Sequence, residues 1–269
     1  MLFLLLMLAQ VQRGLPNSEE FIEAAKAELV FELDEDELLK GYAYRRTTSH
    51  EKLGRDGTAK ETELIEHEIF HSDRGRYEKL ISRNGVPLRD EELRKQDEEL
   101  ARKGSRKRDS RPPFAPKSRD DQRAMIDDMF RVWDFQMVRR EIIAGRPAIV
   151  IAFAPKPGVA AKTSSGKWMF KNARGVAWVD EADHRVVRIR AVVNNDISVA
   201  WGVVAKLHKG TEIIREWRKV NDEVWLPSWS QKRIHGSAFM VGFNFIEIEQ
   251  YSDYRKVDVE TNLRFGSPN

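Results

Sequence analysis

The chain contains no cysteine, which excludes disulfide frameworks, zinc–cysteine sites, cysteine nucleophiles and a lipid-modified cysteine near the N-terminus. It also lacks a strong charge of one sign. Its 46 basic and 43 acidic residues leave a formal charge of +3, whereas nucleic-acid binders carry a one-sided basic excess. No nucleic-acid partner is expected. No GxSxG elbow, phosphate loop, dinucleotide fingerprint or HExxH helix occurs, so no catalytic residue and no cofactor is assigned.

Against these absences stands a chain of 269 residues, 41% hydrophobic and 33% charged. It is globular but polar, and long enough for one large sheet-based domain. Residues 1–9 read MLFLLLMLA, far short of the roughly 20 apolar residues that span a bilayer. The block suits the apolar region of a secretory signal, although it lacks the usual basic start. A short buried strand is the rival reading. The signal pattern assigns residues 1–16 to a signal-like segment and makes a periplasmic or otherwise exported location in a bacterial envelope the expectation.

Residues 17–269 are expected to form one domain. Asn17 and Glu20 have the spacing of a capping box, and Phe21, Ile22, Ala25, Leu29 and Leu33 continue from it at helical spacing. A helix over 18–33 follows. The period then becomes that of strands, with turns predicted at Asp56-Gly57 and Asn84-Gly85, pairs that accept positive φ cheaply. A charged helix at 90–103 and a helix at 121–133 capped by Ser118 and Asp121 form a helical, basic insertion at about 87–131. The second of these helices carries Met125, Ile126, Met129 and Phe130 on one face.

Residues 133–254 alternate apolar and polar positions and are cut by turn signals every 8–12 residues, the pattern of an antiparallel sheet. Turns are predicted at Gly145-Arg146, Ala182-Asp183, His208-Lys209-Gly210, Asn221-Asp222 and His235-Gly236-Ser237. Long helices do not alternate with these strands, so a βαβ fold is not expected. The fold class is mainly β (α+β), a single curved antiparallel sheet or incomplete barrel with helices covering the concave face. Aromatic side chains on the strands are mostly core. Between such a sheet and two apolar-striped helices an apolar cavity can also form. Its expected lining is Phe21, Leu29, Ile126, Phe130, Trp178, Trp201, Trp217 and Phe243.

Two other features point to weaker chemistry. His67 and His71 are four apart, but on a strand this separates them by about 13 Å at about 3.3 Å per residue. One metal ion cannot bridge that distance, so no metal site is assigned. The basic tract 102–123 reads as a solvated loop. Its functional alternative is contact with an anionic membrane surface, where each Lys or Arg gains about 1 kcal/mol.

The segments GVAWVD at 175–180, VWLP at 224–227, YSDYRK at 251–256 and NGVPL at 84–88, set in this order of elements, resemble the LolA/LolB-like periplasmic lipoprotein carriers, the outer-membrane lipoprotein-sorting group, and their uncharacterised bacterial relatives. The resemblance implies an incomplete antiparallel barrel with a helical lid over a cavity for lipid chains. It implies a non-enzymatic binder of acyl chains or lipoproteins; the rival is an envelope protein-interaction or sensing domain without a small ligand. The matching segments are strand ends and turns, and no carrier ligand residue maps to a position here. The oligomeric state is left open.

Overall fold

The computed structural model describes residues 14–33, 41–54, 56–72, 75–103, 118–199, 205–239 and 241–257. The signal-like block 1–13, most of the basic loop and Trp201 lie outside them.

Helix α1 (Ser18–Glu32) starts where Asn17 accepts a hydrogen bond from the Glu20 amide at 3.1 Å. The chain then forms β1 (Tyr42–Leu53), β2 (Ala59–Ser72), β3 (Gly75–Arg83) and the two-residue β4 (Val86–Pro87). Helices α2 (Asp90–Lys103) and α3 (Arg119–Val132) follow. Ser118 and Asp121 close a reciprocal capping box at the start of α3. The helix stops one residue short of Trp133, which opens β5 (Trp133–Ile143). Next come β6 (Arg146–Pro155), the short α4 (Ser164–Met169), β7 (Ala173–Asp180) and β8 (Val186–Val193). The chain ends with β9 (Ile197–Val199), β10 (Ala205–Leu207), β11 (Glu212–Val220), β12 (Val224–Ala238) and β13 (Val241–Lys256). Among the described residues, no helix is long and apolar enough to cross a membrane.

All thirteen strands join one unclosed sheet, in the order β4-β3-β2-β1-β13-β12-β11-β8-β7-β6-β5. The first strand group reaches the second through β1 pairing with β13. Strands β9 and β10 leave the main path, and β10 pairs with the far end of β12. The sheet and its helices are therefore the architecture that the alternation and caps predicted. The insertion splits in role: α3 covers one face of the sheet, whereas α2 guards its edge. Gln96 of α2 accepts from the Leu80 amide at 3.1 Å and donates to the Leu80 carbonyl at 3.0 Å. Its side chain thus occupies backbone groups that would otherwise invite another strand.

One local expectation needs correction. The predicted turn at His235-Gly236-Ser237 is an uninterrupted stretch of β12, which continues to Ala238, paired with Val241. Gly236 serves close packing there: a Cβ would lie 2.6 Å from both the Lys206 carbonyl oxygen and the Phe243 ring. The helix at 164–169 was not foreseen, because six residues give too little periodicity to read.

Gly175 plays the same part inside β7. A Cβ at this position would overlap the Arg190 carbonyl oxygen and meet the Phe153 ring at 2.5 Å. Gly175→Ala is expected to destabilise the protein by about 1–3 kcal/mol through overpacking. Urea denaturation checks this as a lowered midpoint with unchanged slope.

Candidate functional site: an apolar pocket beneath two helices

Residues paired directly across strands share a face. One such row crosses nearly the whole sheet: Met137, Ile151, Ala177, Ile189, Arg215, Ser230, Glu249, Thr48, Ile65 and Arg83. It is apolar on β5 to β8 and mostly polar from β11 onward. A second row, Phe135, Phe153, Gly175, Ala191, Ile213, Lys232, Glu247 and His50, changes character one strand later. One face therefore has an apolar half and a polar half.

The apolar half is the one that α1 and α3 cover. Phe21 and Ala25 of α1 are buried against Ile149, Ile151 and Val179. Val132, Trp133, Phe153 and Phe170 form a second core cluster at the end of α3. The Trp133 ring lies 4.5 Å from Phe153, and its indole N–H donates to the Phe170 carbonyl at 2.8 Å. Polar contacts hold the helices in place. Lys26 and Asp127 join α1 to α3 at 2.9 Å, and Arg185 at the start of β8 ion-pairs with Glu28 and Glu32 of α1.

Between helices and sheet the structure leaves a pocket of about 320 Å³, at the small end of ligand pockets. Ile22 and Leu29 of α1, Met129 and Phe130 of α3 and strand residues such as Ile151, Ala177, Ile189 and Trp217 surround it. Among the described residues, the only charged ones lining it are Glu32 and Arg185, paired with each other at 3.1 Å. The walls thus offer apolar contact and no uncompensated charge.

Of the residues expected to line a cavity, Leu29, Phe130 and Trp217 border this pocket. Phe21 packs in the adjoining core instead. Ile126 is half-buried on α3 but does not border the pocket. Trp178 stands on the opposite face, since its neighbours Ala177 and Val179 face the pocket. It donates to Glu141 at 2.7 Å and lies under the Arg188 guanidinium. An aromatic on a two-sided strand can lie on either face, and here the alternation with Ala177 and Val179 puts Trp178 beside Glu141 and Arg188. Phe243 packs against Gly236 and Phe245 at the far end of β13. Missed by the sequence reading were Trp133, Phe153, Ala177, Ile189 and Trp225. Strand alternation alone carried a signal for Ile189, which shares one side of its strand with Val187, Ala191 and Val193.

Ion pairs and hydrogen bonds run across the polar half of the face. Glu249 accepts from Ser230 at 2.9 Å and from Tyr251 at 3.1 Å, and pairs with Lys232 at 3.4 Å and Arg46 at 3.9 Å. Burial alone would raise its pKa, but Lys232 and these donors hold it below the usual carboxylate range. Burial and the nearby Glu249 push the Tyr251 hydroxyl upward. His67 and His71 lie here on β2. Burial, then the Arg46 charge, lowers the pKa of His67. Among the described residues, no group of three or more His, Asp or Glu side chains is placed to hold a metal ion.

No protein family matches the chain, and no curated protein does. Solved structures to which the chain is similar include a domain described as an outer membrane lipoprotein-sorting protein from Vibrio parahaemolyticus, 12% identical over 89% of this chain and 95% of that one, with a TM-score of 0.35. A LolA superfamily protein from Nitrosomonas europaea is 9% identical over 94% and 99%, with a TM-score of 0.33. The Pseudomonas aeruginosa MucA/MucB complex matches at 12% over 88% and 99%, with a TM-score of 0.27. The pocket itself, not these likenesses, supports the function proposed below.

One carboxylate fixes the helix that roofs the pocket. Asp128 of α3 accepts from the amides of Lys162 and Thr163 at 2.8–3.0 Å, from the Thr163 hydroxyl at 2.7 Å and from Arg131. Burial alone would raise its pKa; these donors outweigh it and hold the group at about 2. A depressed carboxylate contributes stability that is complete above its unfolded value near pH 4 and is lost as pH falls toward 2. Asp128→Asn is expected to cost about 2 kcal/mol at neutral pH and to flatten the loss of stability between about pH 4 and pH 2. Thermal unfolding of both proteins across that range measures it.

Proposed function

We propose that the protein is an exported, non-enzymatic carrier or binding protein for lipid acyl chains, held in the pocket between the sheet and helices α1 and α3. The observation that carries this reading is the lining: apolar side chains from two helices and several strands, with a single self-paired Glu32–Arg185 couple as its charge. Each methylene moved from water into such a pocket gains about 0.8 kcal/mol, so a chain of several carbons needs no specific polar contact. The apolar block at residues 1–9 supports an envelope location. A free fatty acid or the acyl chain of a lipoprotein would present the same surface to these walls.

The helical roof supplies the route of entry. Helix α1 is held by ion pairs through Lys26 and Arg185 as well as by Phe21 and Ala25. Entry past α1 would break the partly buried Arg185 pairs, whose Arg185 side chain is 12% exposed, as well as its apolar contacts.

An environment-sensitive apolar dye is expected to bind the purified protein and to be displaced by fatty acid. Ala177→Phe, which places a ring in the pocket, should weaken dye binding by about tenfold or more, since about 1.4 kcal/mol of lost apolar contact suffices. Absence of dye binding to the wild type, or undiminished binding to Ala177→Phe, would contradict the proposal.

A further inference from the structure

The hairpin joining β12 to β13 differs in sequence from two other tight turns of the sheet. Arg83 pairs with Val86 around Asn84-Gly85, and Ile143 pairs with Arg146 around Ala144-Gly145. Both turns use positive φ and end in glycine, as tight hairpins favour. Ala238 pairs with Val241 in the same way, but the residues between them are Phe239 and Met240. Phe239 adopts φ 47°, a left-handed backbone that a bulky side chain enters only with strain. Neither folding nor packing explains the choice. Phe239 is 73% exposed and Val241 71%, the two most exposed large apolar side chains among the described residues.

The surroundings are equally unusual. In a chain that is one-third charged, the 13 residues from 234 to 246 include no Asp, Glu, Lys or Arg. Ala205 of β10 pairs with Ala238 beside the tip, and residues 197–205, which run into that pair, are likewise uncharged. Lys206 and Lys209 come directly behind; Lys206 ion-pairs with Asp196 at 2.9 Å, and Lys209 is exposed. A projecting apolar point with uncharged flanks and cations set back from it suits a plane whose interior is hydrocarbon and whose surface is polar. A protein groove would require complementary walls, not a charge-free margin on both strands. Exposed apolar surface of this kind marks an interaction site, and aromatic and aliphatic side chains beside basic residues favour the lipid interface.

We infer that the β12–β13 tip, through Phe239 and Val241, inserts into the surface of a lipid bilayer and docks the protein there. Eleven residues of β12 separate Pro227 at the pocket from Ala238 at the tip, about 36 Å at about 3.3 Å per residue. The tip is therefore a docking element apart from the pocket, and it stands or falls independently of what the pocket holds. The basic loop considered from the sequence would act through charge; the tip acts through apolar insertion, so its binding should survive high salt.

The absence of cysteine makes a site-specific test direct. A fluorophore sensitive to its environment is attached through G242C beside the tip or, as a control, through V138C on the edge strand β5, where Val138 is exposed. Phosphatidylcholine vesicles should shift the emission of the label at 242 and leave that at 138 unchanged, in low and high salt alike. In the G242C protein, adding F239N and V241T should weaken vesicle affinity by about tenfold or more. The single variant F239N should raise the Tm, because Asn accepts a positive φ that strains Phe. Opposite directions for binding and stability rule out unfolding as the cause of lost binding. No shift at 242, an equal shift at 138, or undiminished binding after F239N and V241T would overturn the inference; F239G provides the same comparison if the double variant fails to fold.

Discussion

An unclosed sheet whose one face is apolar on β5 to β8 must keep that half from water, and most of the structure follows from this need. Met137, Ile151, Ala177 and Ile189 form a continuous apolar row across four strands. Barrel closure would hide such a row, but β4 and β5 remain edges. Helices supply the cover instead. Helix α3 runs directly into β5 through Val132 and Trp133, so its position is set by the chain itself. Helix α1 comes from a distance and is tied down by Phe21, Ala25, Lys26 and the Arg185 ion pairs.

The same face solves its other half differently. From β11 to β1 the row continues as Arg215, Ser230, Glu249 and Thr48, and charges neutralise one another across strands. That half needs no apolar roof, because charged side chains such as Arg46, Lys232 and Glu249 pair across its strands. The contrast explains why the pocket is confined to one end of the sheet: space remains where rigid helices meet a curved apolar surface and side chains do not fill every gap. A fully apolar face would have demanded a larger lid, and a fully polar one would have left nothing to enclose.

Much of this was legible in the sequence because it rests on local rules. The Ser118–Asp121 box, the Asn17 cap and the Asn84-Gly85 turn each announce an element through hydrogen bonds or φ preferences carried within four residues. The alternation of residues 133–254 likewise revealed the sheet. Information that depends on distant neighbours was not legible. Trp178 faces away from the pocket, beside Glu141 and Arg188, and Gly236 is a packing glycine because Lys206 and Phe243 crowd it. Ala177 matters to the pocket only because Ile151 and Ile189 flank it. The pairing of β1 with β13, more than 200 residues apart at Thr48 and Glu249, has no local signature at all.

The central claim is that the roofed apolar half holds an acyl chain. Native mass spectrometry of protein purified without detergent from a bacterial envelope fraction tests it most directly. The account predicts a population carrying an adduct that dissociates as a fatty acid or other acyl compound. A single ligand-free mass that stays unchanged after incubation with fatty acid would contradict it.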